Sequence, residues 1–173
     1  MPKILQNVRE QLLAEAKRQV AEKGYASTTV RSVAAACGLA TGTVYNYFPS
    51  KDMLIASFMA EDWRRCLNAV KQQDNREPET LLRQLFEMLH DFIWQHRTLF
   101  QDRDAAKVFA TVFSERHKQL RDQIAETLLP ICQTASVPDK AFLAEYIAES
   151  LLSWTVAGKS FEAQYPIIRQ LLK

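Results

Sequence analysis

Residues Gly38–Leu54 read GLATGTVYNYFPSKDML, and this stretch decides the fold of the N-terminal part of the chain. It contains two of the four glycines among 173 residues, Gly38 and Gly42, and Pro49 follows them. Glycine readily adopts the left-handed turn that ends a helix, whereas proline cannot continue one. The stretch therefore predicts a short helix at 41–47, between a glycine turn and a proline break.

The preceding segment, ASTTVRSVAAAC, reads as another short helix, with Thr28 or Thr29 as its N-cap and its end near Cys37. Two short helices joined by a glycine turn form a helix-turn-helix, whose second helix enters the major groove in DNA-binding proteins. Seven helical residues span about 10 Å, which suits a groove about 12 Å wide. The pattern therefore predicts DNA binding.

Helical spacing divides residues 41–47 into two faces. Val44 and Phe48 are apolar and four residues apart, so they are expected to face inward, and the opposite face centres on Gly42 and Asn46. A glycine inside a helix costs about 1 kcal/mol relative to alanine. Gly42 therefore indicates close approach of either DNA or another helix. Asn46 is the best candidate for reading a base, since asparagine can pair with adenine N6 and N7.

Apolar periodicity predicts helices throughout the rest of the chain, and hence an all-α fold of about nine helices. The further helices are expected at 4–23, 51–73, 78–96, 104–135, 138–157 and 161–172, the last interrupted near Pro166. The pattern leaves open whether 104–135 forms one helix or two.

Charge is distributed unevenly along the chain. Residues 1–51 carry seven Lys or Arg and three Glu, a net charge of +4, whereas the remainder carries 15 basic and 17 acidic residues. A basic N-terminal part indicates a polyanionic partner. The start of the chain lacks the apolar stretch of a signal peptide, no segment reads as a membrane span, and the three cysteines are widely spaced. We therefore expect a cytoplasmic protein that binds no membrane.

An enzyme is not expected. The spacing Glu87-x-x-His90 occurs in helical di-iron proteins, but such sites need a second pair, which the sequence lacks. A Gly-rich phosphate loop, a Gly-x-Ser-x-Gly motif and a His-Glu-x-x-His motif are also absent from the sequence. We predict no metal and no cofactor, and a helical metal-binding enzyme stays a remote alternative.

The stretch TTVRSVAAACGLATGTVYNYFPSKDML, residues 28–54, resembles the DNA-binding domain of TetR-type bacterial transcriptional regulators, with a dense match over about residues 10–58. The family usually has serine where this chain has Ala40, which cannot act as an N-cap, and Thr41 is expected to take that role. The resemblance implies a helix-turn-helix domain at 1–50 and an effector-binding and dimerisation domain at 51–173.

Carried over position by position, the resemblance also implies a set of DNA-contacting residues. Thr28, Thr29, Tyr47 and Lys51 are expected at phosphates, and Arg31 at a base or a phosphate. The residues expected to face the groove are Thr41, Gly42, Thr43, Tyr45 and Asn46.

In similar proteins the body binds a small-molecule effector and forms a homodimer, which presents two recognition helices to a palindromic DNA operator. The body is rich in aromatic residues, which line apolar pockets but also fill cores. The residues considered for a pocket are Phe58, Phe86, His90, Trp94, Phe109, Phe113 and Tyr146. His90 is either a core histidine or a polar anchor for a ligand.

The dimer interface is expected on the last two helices, where apolar residues exceed what one buried face needs. Its candidate residues are Phe142, Leu143, Ile147, Leu151 and Trp154. The most plausible function is that of a repressor released by a mainly apolar effector. The alternative is a DNA-binding regulator that has no inducer or requires a corepressor.

Overall fold

The computed structural model describes residues 7–173, and within 106–115 it describes the backbone only. All regular secondary structure in this part of the chain is helical, which confirms the predicted all-α class. The helices are α1 (Val8–Ser27), α2 (Val30–Ala36), α3 (Thr41–Tyr47), α4 (Lys51–Gln72), α5 (Pro78–Gln95), α6 (Arg97–Gln101), α7 (Arg103–Cys132), α8 (Lys140–Val156) and α9 (Phe161–Leu171). Residues 4–6 of the predicted first helix lie outside the described residues.

Glycines shape both ends of the region around α2. Gly24 has φ 80° and ψ 173°, which breaks α1 and leaves a short turn up to Ser27. Gly38 has φ 67° and follows α2, where its N–H donates to the carbonyl of Ala35 and the next N–H donates to that of Ala34. This hydrogen-bond pattern is a Schellman motif, and it confirms the predicted glycine turn.

The described chain forms two compact units. The first comprises residues up to Arg64 together with His96–Ala110, and the second comprises Arg65–Gln95 and Thr111–Lys173. The division into functional domains at residues 50 and 51 stays a prediction.

The first unit contains a buried ionic cluster. Oδ2 of Asp62 on α4 lies 2.7 Å from Nζ of Lys17 on α1 and 3.1 Å from Nε2 of His96, which directly precedes α6. Asp62 is 4% exposed and His96 3%. The ring of Phe58 stacks on the His96 imidazole, with 5.9 Å between the ring centroids. The cluster therefore joins α1, α4 and the start of α6 through the Asp62 carboxylate.

In the second unit, α5 packs against both α8 and α9. Fully buried leucine and isoleucine side chains from several helices form its core, among them Leu82, Leu85, Ile124, Leu128 and Ile147. Helix α8 is apolar on most of its surface, so it contributes to this core and still exposes aromatic side chains.

Helices α7 and α9 are both continuous. Residues Arg103–Cys132 form one helix rather than two. The predicted interruption near Pro166 is wrong, since α9 continues through that residue. Proline removes the hydrogen bond to the carbonyl four residues earlier, that of Glu162. Both residues are exposed, so water can serve that carbonyl in place of the missing donor.

Candidate nucleic-acid interface

Helix α3 has the two faces expected from the sequence. Val44 is fully buried and Phe48 nearly so, whereas Gly42, Asn46 and Tyr45 are exposed, the last at 51%. The outward face therefore carries neutral groups that can donate and accept hydrogen bonds. Such a surface suits the edges of bases in a major groove. Of the other predicted contacts, Tyr47 is exposed and Thr41 and Thr43 are half-buried.

Gly42 lies in open space. A Cβ atom placed on it would have no heavy atom within 4 Å other than those of its neighbours in the chain and of its own helix backbone. Tight packing against another helix is thus excluded as the reason for glycine at this position within the described chain. The backbone of α3 is therefore uncovered at Gly42, and close approach by DNA stays a prediction.

The start of α3 differs from the expectation. Ala40 has the extended backbone of an N-cap residue, φ −68° and ψ 143°, and no side chain caps the helix by a hydrogen bond. The prediction that Thr41 acts as the cap is therefore wrong, because Thr41 is already the first helical residue. Its hydroxyl is not engaged as an N-cap.

Thr28 and Thr29 have different roles. Thr29 is the N-cap of α2, where its Oγ1 accepts from the N–H of Ser32 at 2.9 Å and its own N–H donates to Ser32 Oγ at 3.0 Å. Thr28 is 1% exposed, and its hydroxyl donates to the carbonyl of Gly24 at 2.8 Å. The predicted phosphate contact of Thr28 is therefore wrong, since the hydroxyl serves the kink at the end of α1. Arg31 and Thr29 are exposed.

A surface hollow joins the start of α2, the start of α3 and the start of α4. Its lining residues are Thr29, Val30, Arg31, Thr41, Tyr45, Pro49, Ser50 and Lys51. The 22-residue helix α4 begins here, and Ser50 Oγ accepts a hydrogen bond from the N–H of Met53 at 3.1 Å. The N-terminus of a long helix carries partial positive charge. The hollow thus combines this dipole with two basic side chains.

Lys51 is held in place by Tyr25, a residue that the sequence analysis missed. The ammonium donates to the carbonyl oxygen of Tyr25 at 3.0 Å and lies 3.6 Å from the centroid of its ring. The hydroxyl of Tyr25 donates to Oδ1 of Asp52 at 2.5 Å. The only signal in the sequence is an aromatic residue directly after Gly24, which does not reveal contacts with residues 26 and 27 positions later.

The candidate pocket residues do not share one environment. Phe58 is buried in the first unit, whereas Phe86, His90 and Trp94 belong to the second. The ring of Phe86 stacks on that of His90 with centroids 6.2 Å apart, but the His90 side chain is 62% exposed, so the core interpretation of His90 is wrong. Trp94 and Tyr146 are also exposed.

The side chains of Phe109 and Phe113 lie outside the described residues. A cavity of about 240 Å³ in the second unit is lined by other residues, namely Val70, Lys71, Asp74, Asn75, Arg76, Leu81, Glu126, Thr127 and Pro130. The pocket predicted from the aromatic residues therefore stays a prediction.

The candidate dimer residues fall into two groups. Leu143, Ile147 and Leu151 are buried within the chain, so they serve its own core and are not available to a partner. Phe142 and Trp154 are exposed, at 62% and 50%. The prediction of an interface therefore has to rest on the exposed group.

The described residues contain neither a metal cluster nor a helix suited to a membrane. There, no three His, Cys, Asp or Glu side chains come together as a metal site. The same part of the chain holds no helix that is both long and apolar enough to cross a membrane.

The comparisons with known proteins agree with this geometry. Residues 12–58 match the model of the bacterial regulatory proteins of the tetR family. YuxN of Bacillus subtilis (strain 168), an uncharacterized HTH-type transcriptional regulator, is 34% identical over 94 residues, which are 51% of this chain and 32% of YuxN. The HTH-type transcriptional repressor KstR of Rhodococcus jostii (strain RHA1) is 26% identical over 155 residues, which are 88% of this chain and 73% of KstR.

Among solved structures, FadR of Thermus thermophilus, a TetR family repressor in complex with lauroyl-CoA, has the same fold. Its TM-score is 0.63 at 22% identity, and the match covers 95% of this chain and 92% of FadR. These relatives are regulatory proteins, which agrees with the prediction that the chain is not an enzyme. Residues 12–58 therefore match the tetR family of bacterial regulatory proteins, and the fold of the chain is similar to that of FadR.

Proposed function

We propose that the protein is a dimeric transcriptional repressor that binds a near-palindromic operator in the cytoplasm and is released by a small, mainly apolar effector. The observation that carries the DNA-binding part is the exposed, neutral face of α3 beside the hollow at the start of α4. Bases would be read by Asn46 and its neighbours, and a backbone phosphate would bind at the start of α4 and Lys51. Arg31 and Tyr47 are exposed around this face and would add contacts.

The proposal of a dimer is supported by exposed apolar side chains on α8 and α9. Phe142 and Tyr146 lie one turn apart on α8 with ring centroids 6.3 Å apart, and both are more than half exposed. Trp154 on α8 and Ile167 on α9 are exposed as well. Clusters of exposed apolar residues mark association surfaces. A two-fold axis through this face would pair two copies of α3 for two half-sites.

The proposal of an effector rests on the family and on the aromatic composition of the second unit. FadR of Thermus thermophilus, which has the same fold, was crystallised with lauroyl-CoA, a ligand with a long apolar chain. An effector that releases DNA must bind the DNA-free form more tightly by the coupling free energy, typically about 1–3 kcal/mol. A screen of acyl and aromatic compounds for loss of operator binding is the direct test.

The test of DNA binding is a fluorescence anisotropy titration with DNA from upstream of the protein's own gene, at several salt concentrations. Lys51→Ala is expected to weaken binding to every sequence and to lower the slope of log K against log salt by about one, because one phosphate contact is lost. Asn46→Ala is the matched control: it removes no charge, so it should leave the slope unchanged and relax the preference among operator variants. The proposal would be contradicted if the wild type bound all DNA equally weakly, including genomic fragments selected for binding. Binding that appeared only with a corepressor would instead support the alternative function.

Gly42→Ala is expected to raise stability and lower DNA affinity. Alanine stabilises a helix by up to about 1 kcal/mol relative to glycine, and the open space around Gly42 accepts a methyl group without a clash. The same methyl group would separate the α3 backbone from DNA and reduce operator affinity by roughly tenfold, about 1.4 kcal/mol. Thermal unfolding and anisotropy would measure the two effects.

Ala40→Ser is the control for Gly42→Ala. It supplies the missing N-cap and should stabilise α3 by about 1 kcal/mol without adding an atom to the face around Gly42. We expect it to raise the melting temperature while operator affinity is retained. Undiminished affinity in Gly42→Ala would place Gly42 away from the DNA.

A further inference from the structure

Tyr25 makes three separate contacts with the first turn of α4. Its carbonyl accepts from Lys51 Nζ at 3.0 Å, its ring lies 3.6 Å from the same nitrogen, and its hydroxyl donates to Asp52 Oδ1 at 2.5 Å. Tyr25 itself is 6% exposed and follows the kink at Gly24. All three residues belong to the first unit. The buried Tyr25 thus contacts both charged groups at the start of α4.

The ammonium of Lys51 remains able to bind an anion. It has three N–H donors, and the carbonyl of Tyr25 takes one of them. The ring holds the cation by its quadrupole without using another donor. Since Lys51 lines the hollow beside Ser50, its other donors can reach a phosphate that lies there. A lysine that is already ordered loses little further conformational freedom when it binds.

Asp52 presents the opposite problem, because a carboxylate near an anion site repels a phosphate. The hydroxyl of Tyr25 binds this carboxylate by a short hydrogen bond. Burial, together with the hydrogen bond to Asp52, raises the pKa of the Tyr25 phenol well above its usual range. The phenol therefore stays protonated as a donor, and the carboxylate keeps its partner.

We propose that Tyr25 is a positioning residue for DNA binding: it holds the Lys51 ammonium ready for a backbone phosphate and keeps the Asp52 carboxylate away from it. This inference rests on the proposed function, since it assigns a role to a residue behind the proposed phosphate site. Tyr25 touches no DNA itself, and it acts through Lys51 and Asp52.

Two double-mutant cycles on operator affinity test the proposal. Tyr25→Leu removes the ring and the hydroxyl, and is expected to weaken binding five- to tenfold in the wild type but less than twofold in Lys51→Ala, where the cation is already absent. Tyr25→Phe keeps the ring, so its operator affinity should fall only about threefold. This loss should vanish in the Asp52→Asn background, because no carboxylate is then present for the phenol to hold. The difference in operator affinity between Tyr25→Phe and Tyr25→Leu therefore measures the contribution of the ring apart from that of the hydroxyl.

Thermal unfolding of each variant accompanies the cycles. If Tyr25 served stability alone, its substitution would weaken operator binding equally in both Lys51 backgrounds and in both Asp52 backgrounds. This result would overturn the inference. If Tyr25→Leu fails to fold, the cycle of Tyr25→Phe with Asp52→Asn decides by itself. A wild type that binds no operator would contradict the proposed function, whereas a binding wild type with additive cycles would refute only the role of Tyr25.

Discussion

Replacing Asp62 with alanine is expected to lower the free energy of unfolding by about 3 kcal/mol, because it removes one partner of a buried ionic cluster. The Asp62 carboxylate faces the ammonium of Lys17 at 2.7 Å and the imidazole of His96 at 3.1 Å. His96 is 3% exposed, so water cannot replace the lost carboxylate, whereas the Lys17 side chain is partly exposed. The cost therefore falls near the lower end of the range for breaking a buried pair, about 3–5 kcal/mol.

The chain offers a matched control one residue away. Glu61 on α4 also pairs with a basic residue of α1, Arg9, but the side chains of that pair are 34% and 47% exposed, so water reaches both. Exposed ion pairs contribute about 0–1 kcal/mol, so Glu61→Ala is expected to change stability by less than 1 kcal/mol. Urea unfolding followed by circular dichroism at one protein concentration would measure both variants. Equal costs would show that burial adds nothing to the Asp62 cluster.

The helices near the DNA interface could be predicted from the sequence because their signals are local. Gly38 and Pro49 mark the ends of two helices by backbone geometry, and Val44 and Phe48 mark the buried face of α3 by spacing alone. These features depend on residues within one or two turns of each other. Five-residue α6 escaped prediction because it is too short to show a periodic pattern.

The contacts that hold the site together could not be predicted, because they join residues far apart in the chain. Tyr25 meets Lys51 after 26 residues, and Lys17 meets Asp62 after 45. In the sequence alone each of these residues reads as an ordinary surface or core position. The charge and the spacing of these residues do not show which of them contact each other, because the contacts form only when the helices pack together.

Helix α8 illustrates a third limit. Its apolar residues cover most of its surface, so the sequence indicates that more than one face is apolar but does not assign the faces. The structure places Leu143, Ile147 and Leu151 in the core and leaves Phe142 and Tyr146 exposed. The interface can therefore be tested at residues that do not stabilise the single chain.

The double variant Phe142→Asp with Tyr146→Glu is expected to convert the proposed dimer to a monomer and to weaken operator binding by at least about 100-fold. Two linked recognition helices gain about 10²–10⁴ over one by effective concentration, and a monomer loses this gain. Two carboxylates brought against their symmetry mates would lose apolar contact and repel. Phe142 is the third residue of α8, where an aspartate is favoured by the helix dipole, so the helix itself should persist.

Light scattering coupled to size-exclusion chromatography measures the oligomeric state, and anisotropy measures operator affinity. Trp94→Asp on α5 is the matched control, since Trp94 is also an exposed aromatic residue of the second unit but lies outside α8 and α9. It should leave the dimer intact. A double variant that remains dimeric with full operator affinity would mean that the copies associate through a different face. The loss of operator affinity without loss of the dimer would instead mean that this face acts on DNA binding by another route than association.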